Sequence, residues 1–198
     1  MPSPIGHLLA GLVVAWSAEP PTAAQRLRQA LVRPLTLVCL ALAVLPDVDL
    51  LYPPLHRSAT HSIGATLLVT IIAAGVTARV TGRINGRAVL ACTAAYATHL
   101  VTDWMGTDRT FAPFGIQLLW PFDQTWYVSG WDVFLRVERR HPFSMAAIRT
   151  NLAAATREIA ILGSIVAAIW LTARWRRSPS SRGPRESSAA DPAARDHA

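Results

Sequence analysis

From Ser62 to Ala78 the chain reads SIGATLLVTIIAAGVTA, and from Ile159 to Ala173 it reads IAILGSIVAAIWLTA. The first stretch carries no charge between His61 and Arg79, and the second carries none before Arg174. Neither shows much amphipathic periodicity, and a helix that is apolar all round belongs in a membrane or in the core of a large protein. A chain of 198 residues has no such large core. The second stretch also closes on Trp170 and runs into Arg174-Trp175-Arg176-Arg177, rings followed by cations, as at the headgroup level of a bilayer. Three more apolar runs, Pro4 to Ala18, Pro34 to Pro46 and Ala88 to Thr102, bring the candidate helices to five. Several are shorter than the ~20 residues a span prefers. The expected fold is therefore an all-α, polytopic membrane helical bundle over residues 1–177 with four or five hydrophobic helices.

The composition agrees, since 52% hydrophobic and 16% charged residues exclude a disordered or solvating chain. All 19 basic residues are arginine, giving a net charge of +7, but they flank the apolar runs instead of forming one groove-sized stripe, so nucleic acid is not an expected partner. Cys39 and Cys92 sit inside apolar runs and read as packing residues. Pro4 to Ala18 lacks the positive start of a secretory signal, so a retained helix is expected there. Ser178 to Ala198 has no apolar run and reads as a disordered tail.

With the N-terminus outside, Arg26, Arg28 and Arg33, then Arg79, Arg83 and Arg87, then Arg174, Arg176 and Arg177 all fall in cytoplasmic segments. Arg57, Arg149 and Arg157 count against this, but the positive-inside rule favours a plasma-membrane, multi-pass protein with a cytoplasmic C-terminal tail.

On that topology His7, Asp47, Asp49, His56, His61, His99 and Asp103, scattered in sequence, all come to the extracytoplasmic face. Ionisable groups at membrane depth are costly and usually line a functional cavity. Leu45-Pro46-Asp47-Val48-Asp49 puts two carboxylates on the turn that ends a helix, and His99-x3-Asp103 stacks an imidazole and a carboxylate on one helix face. Imidazoles mixed with carboxylates suit a divalent ion such as zinc, manganese or iron, and this many donors allow two ions. The expected ligands are Asp47, Asp49, His61, His99 and Asp103, with His7 and His56 as ligands or proton carriers and Arg57 holding an anionic oxygen.

The chain resembles the YdjM-like family of inner-membrane proteins, described as membrane-bound metal-dependent hydrolases. The matching elements come in order: Gly6-His7, Leu45-Pro46-Asp47-Val48-Asp49, His56-Arg57-Ser58-Ala59-Thr60-His61-Ser62, His99-x3-Asp103, and Gly115 with Leu119-Trp120-Pro121-Phe122. They cover about the first 125 residues. The resemblance implies a helical membrane protein, a metal-dependent hydrolytic activity, and the seven His and Asp residues as its site.

Residues 104–157 read as an external, aromatic-rich segment, with Trp104, Trp120, Trp126, Tyr127 and Trp131 resting at the interface as a membrane-hugging loop or a lipid-binding lip. Arg136, Glu138, Arg139, Arg140 and His141 form a charged cluster able to hold a phosphate or simply to be solvated. Glu158, at the expected outer start of the last helix, is an extra ligand or base, or a carboxylate stabilised by the helix dipole. The expected activity is metal-activated hydrolysis of a phosphoester or other ester of a small-molecule or lipid substrate at the bilayer surface. A metal or proton transporter, and a scaffold with a structural metal, are the alternatives.

Overall fold

The computed structural model describes residues 2–52, 56–106, 112–139 and 141–175. Arg109, Phe111, Arg140, Arg176, Arg177 and the tail expected over 178–198 lie outside the described residues. The order is α1 (Pro4–Ala18), α2 (Leu27–Leu31), α3 (Pro34–Val44), 3-10 turns at Leu45–Leu51 and Ala59–His61, α4 (Ile63–Thr81), α5 (Gly86–Trp104), α6 (Met145–Glu158), a π turn at Ile159–Gly163, and α7 (Ser164–Trp175). Among the described residues there is no strand, only isolated bridges at Gly106 with Phe134 and Ile116 with Tyr127.

The helix ends follow local chemistry. Ser3, Ser62, Asn85 and Ser144 cap the starts of α1, α4, α5 and α6 by accepting from the backbone of the first turn. Gly82, left-handed at φ 73°, stops α4. Pro46 and the following acids turn α3 into a 3-10 coil that carries Asp47 and Asp49.

Among the described residues, three helical stretches are long and apolar enough to cross a membrane: Pro34–Leu51, Ile63–Thr81 and Met145–Trp175. α1 is shorter, at 15 residues or about 22 Å of rise. α5 is as long as α4 but buries a stripe of Cys92, Ala95, Tyr96, His99, Thr102 and Asp103, whereas α4 buries nothing. The bundle is thus arranged with α5 at its centre, between α1, α3 and α4, and with α4 on its outside.

Two features differ from the sequence expectation. A short α2 lies in the first loop, and the last helix begins at Met145, capped by Ser144, so residues 145–158 are helical instead of part of an external loop. Ile148, Leu152, Arg149 and Asn151 mix apolar and polar character there, and that mixture hid the helix from a search for uniformly apolar runs. Glu158 consequently stands in mid-helix, just before the π turn, and not at a helix start.

Leu12, Ala15, Trp16, Ala30, Cys39, Ala91 and Ala95 form one core cluster, and Trp16 also meets Trp170 of α7 at 5.4 Å. Cys39 and Cys92 are free and buried, in keeping with packing roles. α1 and α3 approach so closely that a Cβ on Gly11 would lie 2.7 Å from the Ala43 side chain and 2.8 Å from the Cys39 carbonyl. Gly75 on α4 faces open space. Gly11→Ala should therefore lower the thermal midpoint in detergent, by the ~1–3 kcal/mol of an overpacked contact. Gly75→Ala should leave it unchanged or raise it by up to ~1 kcal/mol through helix propensity.

Candidate metal centre

The starts of α1 and α4 and the ends of α3 and α5 meet at one end of the bundle. His7 comes from α1, Asp47 and Asp49 from the turn after α3, His61 from the turn before α4, and His99 and Asp103 from α5. His7, His61, His99 and Asp103 are all buried.

Hydrogen bonds set the tautomer of each imidazole. His99 Nδ1 lies 2.8 Å from the Ala43 carbonyl, which can only accept, so Nδ1 carries the hydrogen. The Thr102 hydroxyl donates to the His99 carbonyl at 3.0 Å, leaving its oxygen to accept from His7 Nδ1 at 3.1 Å. Asp49 Oδ2 accepts from His61 Nδ1 at 3.0 Å and from the Thr60 hydroxyl at 2.6 Å. All three Nε2 atoms are thereby turned toward the same point.

There they face carboxylates. Asp103 Oδ2 is 3.3 Å from His61 Nε2 and 3.5 Å from His99 Nε2, and Asp103 Oδ1 is 3.5 Å from His7 Nε2. His61 and His99 Nε2 are 3.1 Å apart, and Asp47 Oδ1 is 3.8 Å from His99 Nε2. The His7 and His99 rings stack at 3.8 Å. His7 Nε2, Asp47 Oδ1 and both Asp103 oxygens are buried with no hydrogen-bond partner. Buried polar atoms rarely stay unpaired, so four at one point call for a cation. Donors around a tetrahedral zinc stand about 3.3 Å apart, given Zn–N bonds near 2.05 Å, and the separations found here fall on either side of that value.

The residues therefore fit a divalent ion. Among the described residues, three overlapping donor groups can be drawn: His7, Asp47 and His99; His61, His99 and Asp103; and Asp47, Asp49 and His61. Burial alone would push the His61 imidazolium down, but the carboxylates of Asp103 and Asp49 against its two nitrogens outweigh this and hold it up at about 9.

Asp49 differs from the other acids because its oxygens are already engaged. Oδ1 accepts from His56 Nδ1 at 2.6 Å, and Oδ2 takes the Arg57 backbone N–H at 3.0 Å in addition to Thr60 and His61. Arg57 adopts φ 67°, a conformation unusual for a residue with a side chain, to present that N–H. His56 stays partly exposed at the mouth. Glu158 is fully buried but away from these contacts: it accepts from Ser3 N at 2.6 Å and from the Ser3 hydroxyl, and so ties α6 to the first turn of α1. A Cβ on Gly6 would press on the Glu158 carboxyl at 2.9 Å, so a larger residue there would have to shift that carboxyl from its place on Ser3.

Sequence reading missed Thr60, Thr102 and the Ala43 carbonyl, which set the imidazoles. Thr102 was within reach, three residues from His99 on the same face. Arg139 also reaches the site, its Nη2 lying 3.8 Å from Asp47 Oδ2, and like Arg136 and His141 of the same cluster it is exposed at the surface. The external segment packs on the bundle: Ile116 and Phe134 are buried, Gln117 N donates to the Arg57 carbonyl at 2.9 Å, and Ile63 N donates to the Leu118 carbonyl at 2.9 Å. Gly115, at φ 96°, is required where a Cβ would strike the Tyr127 carbonyl.

Helices long enough to span a bilayer, closed at one end by a buried His and Asp cluster, define a membrane protein with a candidate metal centre. Residues 1–179 match the family described as YdjM inner membrane protein, and the chain belongs to that family. No curated protein and no solved structure matches it.

Zinc or manganese should raise the thermal midpoint of the purified protein, by an amount equivalent to about 2.7 kcal/mol at a hundredfold excess over Kd. That rise should vanish in Asp103→Asn, and Asp49→Asn should weaken metal affinity by about 10–100-fold, as loss of an orienting partner does. Calorimetric titration and thermal unfolding check both.

Proposed function

We propose that the protein is a membrane-bound, metal-dependent hydrolase that acts on a phosphoester or other ester at the membrane interface. The observation that carries this reading is the set of four buried, unpartnered atoms, His7 Nε2, Asp47 Oδ1 and both Asp103 oxygens, that converge with the Nε2 atoms of His61 and His99. His7, His61, His99 and Asp103 would hold the ion, with Asp47 as a further ligand or the start of a second site. A bound zinc or manganese ion acidifies water and neutralises negative charge growing on a substrate oxygen.

The remaining roles belong to the chain. Asp49 orients His61, and through Asp49 the partly exposed His56 connects that buried imidazole to the surface, a route for a proton. Arg139, partly exposed beside Asp47, and Arg57, next in the chain to His56, would hold the anionic oxygens of the substrate. Glu158, with both oxygens on Ser3, would act by positioning α1 so that His7 reaches the centre.

The test is metal content by elemental analysis of detergent-purified protein, followed by a phosphoester screen, with wild type beside Asp47→Ala and His99→Ala. Stoichiometric metal and turnover in the wild type, with turnover lost in both variants while the helical signal persists, supports an enzyme. Folded, metal-loaded protein without turnover, whose helices melt on chelation, would make the metal a structural staple. Arg139→Gln should raise KM for an anionic ester about 10–100-fold, the weight of a charge-assisted hydrogen bond, and leave metal content intact.

The arginine distribution supports a site on the extracytoplasmic side. Thr125→Cys, in the exposed part of the segment over the site, should then react with a membrane-impermeant thiol reagent in intact cells. Reaction only after lysis would invert the topology.

A further inference from the structure

A groove of about 620 Å³ runs beside the centre, between the turn after α3, the first half of α4 and the Trp120-Pro121 corner of the external segment. Its volume is that of a small-molecule site. Leu45, Val48, Leu68, Val69 and Ile72 make its walls apolar, and Thr60, Ser62 and Tyr96 supply the few hydroxyls. The groove shares a wall with the centre: Val48 lines it, while Asp47 and Asp49 on either side of Val48 belong to the cluster. Thr60, another lining residue, donates to Asp49 at 2.6 Å, and its carbonyl accepts from the Tyr96 hydroxyl at 2.6 Å.

The groove is open along α4. Leu68 and Ile72 are 57% and 54% exposed, on a spanning helix that buries no residue, so the opening is continuous with the bilayer-facing surface. From Gly64 to Ile72 the lining covers eight helical steps, about 12 Å of rise, against about 15 Å for the hydrocarbon of one leaflet. An apolar slot one leaflet deep, open to lipid at its side and ending at a polar cluster flanked by Arg139, has the dimensions and polarity of a lipid in place.

We propose that the groove takes one acyl chain of a phospholipid from the leaflet on the site's side, and that the hydrolase substrate is therefore a membrane lipid whose head-end ester lies at the centre. The substrate claim rests on the hydrolase reading; the occupancy of the groove does not.

The experiment reconstitutes the full chain in phosphatidylglycerol vesicles doped with phosphatidylglycerol bearing a diazirine midway along one acyl chain, and maps photo-adducts by mass spectrometry. Metal content and turnover of both the vesicle phosphatidylglycerol and a soluble phosphoester are measured on the same samples. Adducts should concentrate on Leu68, Val69, Ile72 and Tyr96 over Leu67 and Ile71, which share α4 but do not line the groove. Leu68→Trp and Ile72→Trp, at exposed positions that need not disturb folding, should each cut groove labelling about tenfold, the effect of displacing roughly two methylenes. Ile71→Trp should not. Even labelling around α4, or indifference to the groove-filling variants, overturns the proposal, as do protein–protein cross-links showing a second copy across the groove. Groove labelling without turnover supports the lipid site and removes the hydrolase, whereas turnover with even labelling does the reverse.

Discussion

Asp103 is a carboxylate placed out of reach of water at the end of the central helix, and the arrangement around it follows from the cost of that burial. An isolated buried charge is expensive, and it is tolerated here because three imidazoles from three different parts of the chain converge on it. Each imidazole is in turn held from behind: His99 by a carbonyl of α3, His7 by a hydroxyl of α5, His61 by Asp49. The cluster thereby links α1, α3, α5 and the turn before α4, and a cation held at its centre would join all four. A hydrogen-bonded shell that leaves only Nε2 lone pairs and carboxylate oxygens facing inward is preorganised for a metal and poorly suited to anything neutral.

The fold divides its helices accordingly. α5 is buried along a stripe that runs from small residues at Ala91 and Ala95 to the ligand positions at His99 and Asp103, so the packing that stabilises the bundle also aims the site. α4 is the reverse, with no buried residue, and its exposed leucine and isoleucine side chains are those expected against lipid. Gly6 and Gly11 let α1 lie against Glu158 and α3 at distances a methyl group would prevent, which brings His7 down to the level of His99. The external segment returns over this end, pairing backbone with Arg57 and Ile63, and carries Arg139 to Asp47.

Much of this was legible in the sequence. The five apolar runs coincide with α1, α3, α4, α5 and the π turn with α7, because apolar runs bounded by Pro, Ser, Asn and Gly leave few alternatives in a membrane. Alternation of the runs also places His7, the Asp47-Asp49 turn, His56, His61, His99 and Asp103 at one end, since helices joined by short loops reverse direction. α6 was not legible, because its mixed polarity satisfies neither a membrane pattern nor a loop pattern.

What only the tertiary structure decided is which donors point inward. Sequence grouped Asp47 with Asp49 and set His7 apart as a ligand or proton carrier; in the fold His7 faces the central carboxylate, while Asp49 spends its oxygens on His56, Arg57, Thr60 and His61. Spacing fixes only the helix face on which a residue lies, and the direction of a carboxylate two positions along a 3-10 turn depends on hydrogen bonds from residues up to twelve positions away. The groove beside α4 is likewise invisible in sequence, since it is formed by surfaces of the turn after α3, α4 and the Trp120-Pro121 corner that meet only once the bundle has closed.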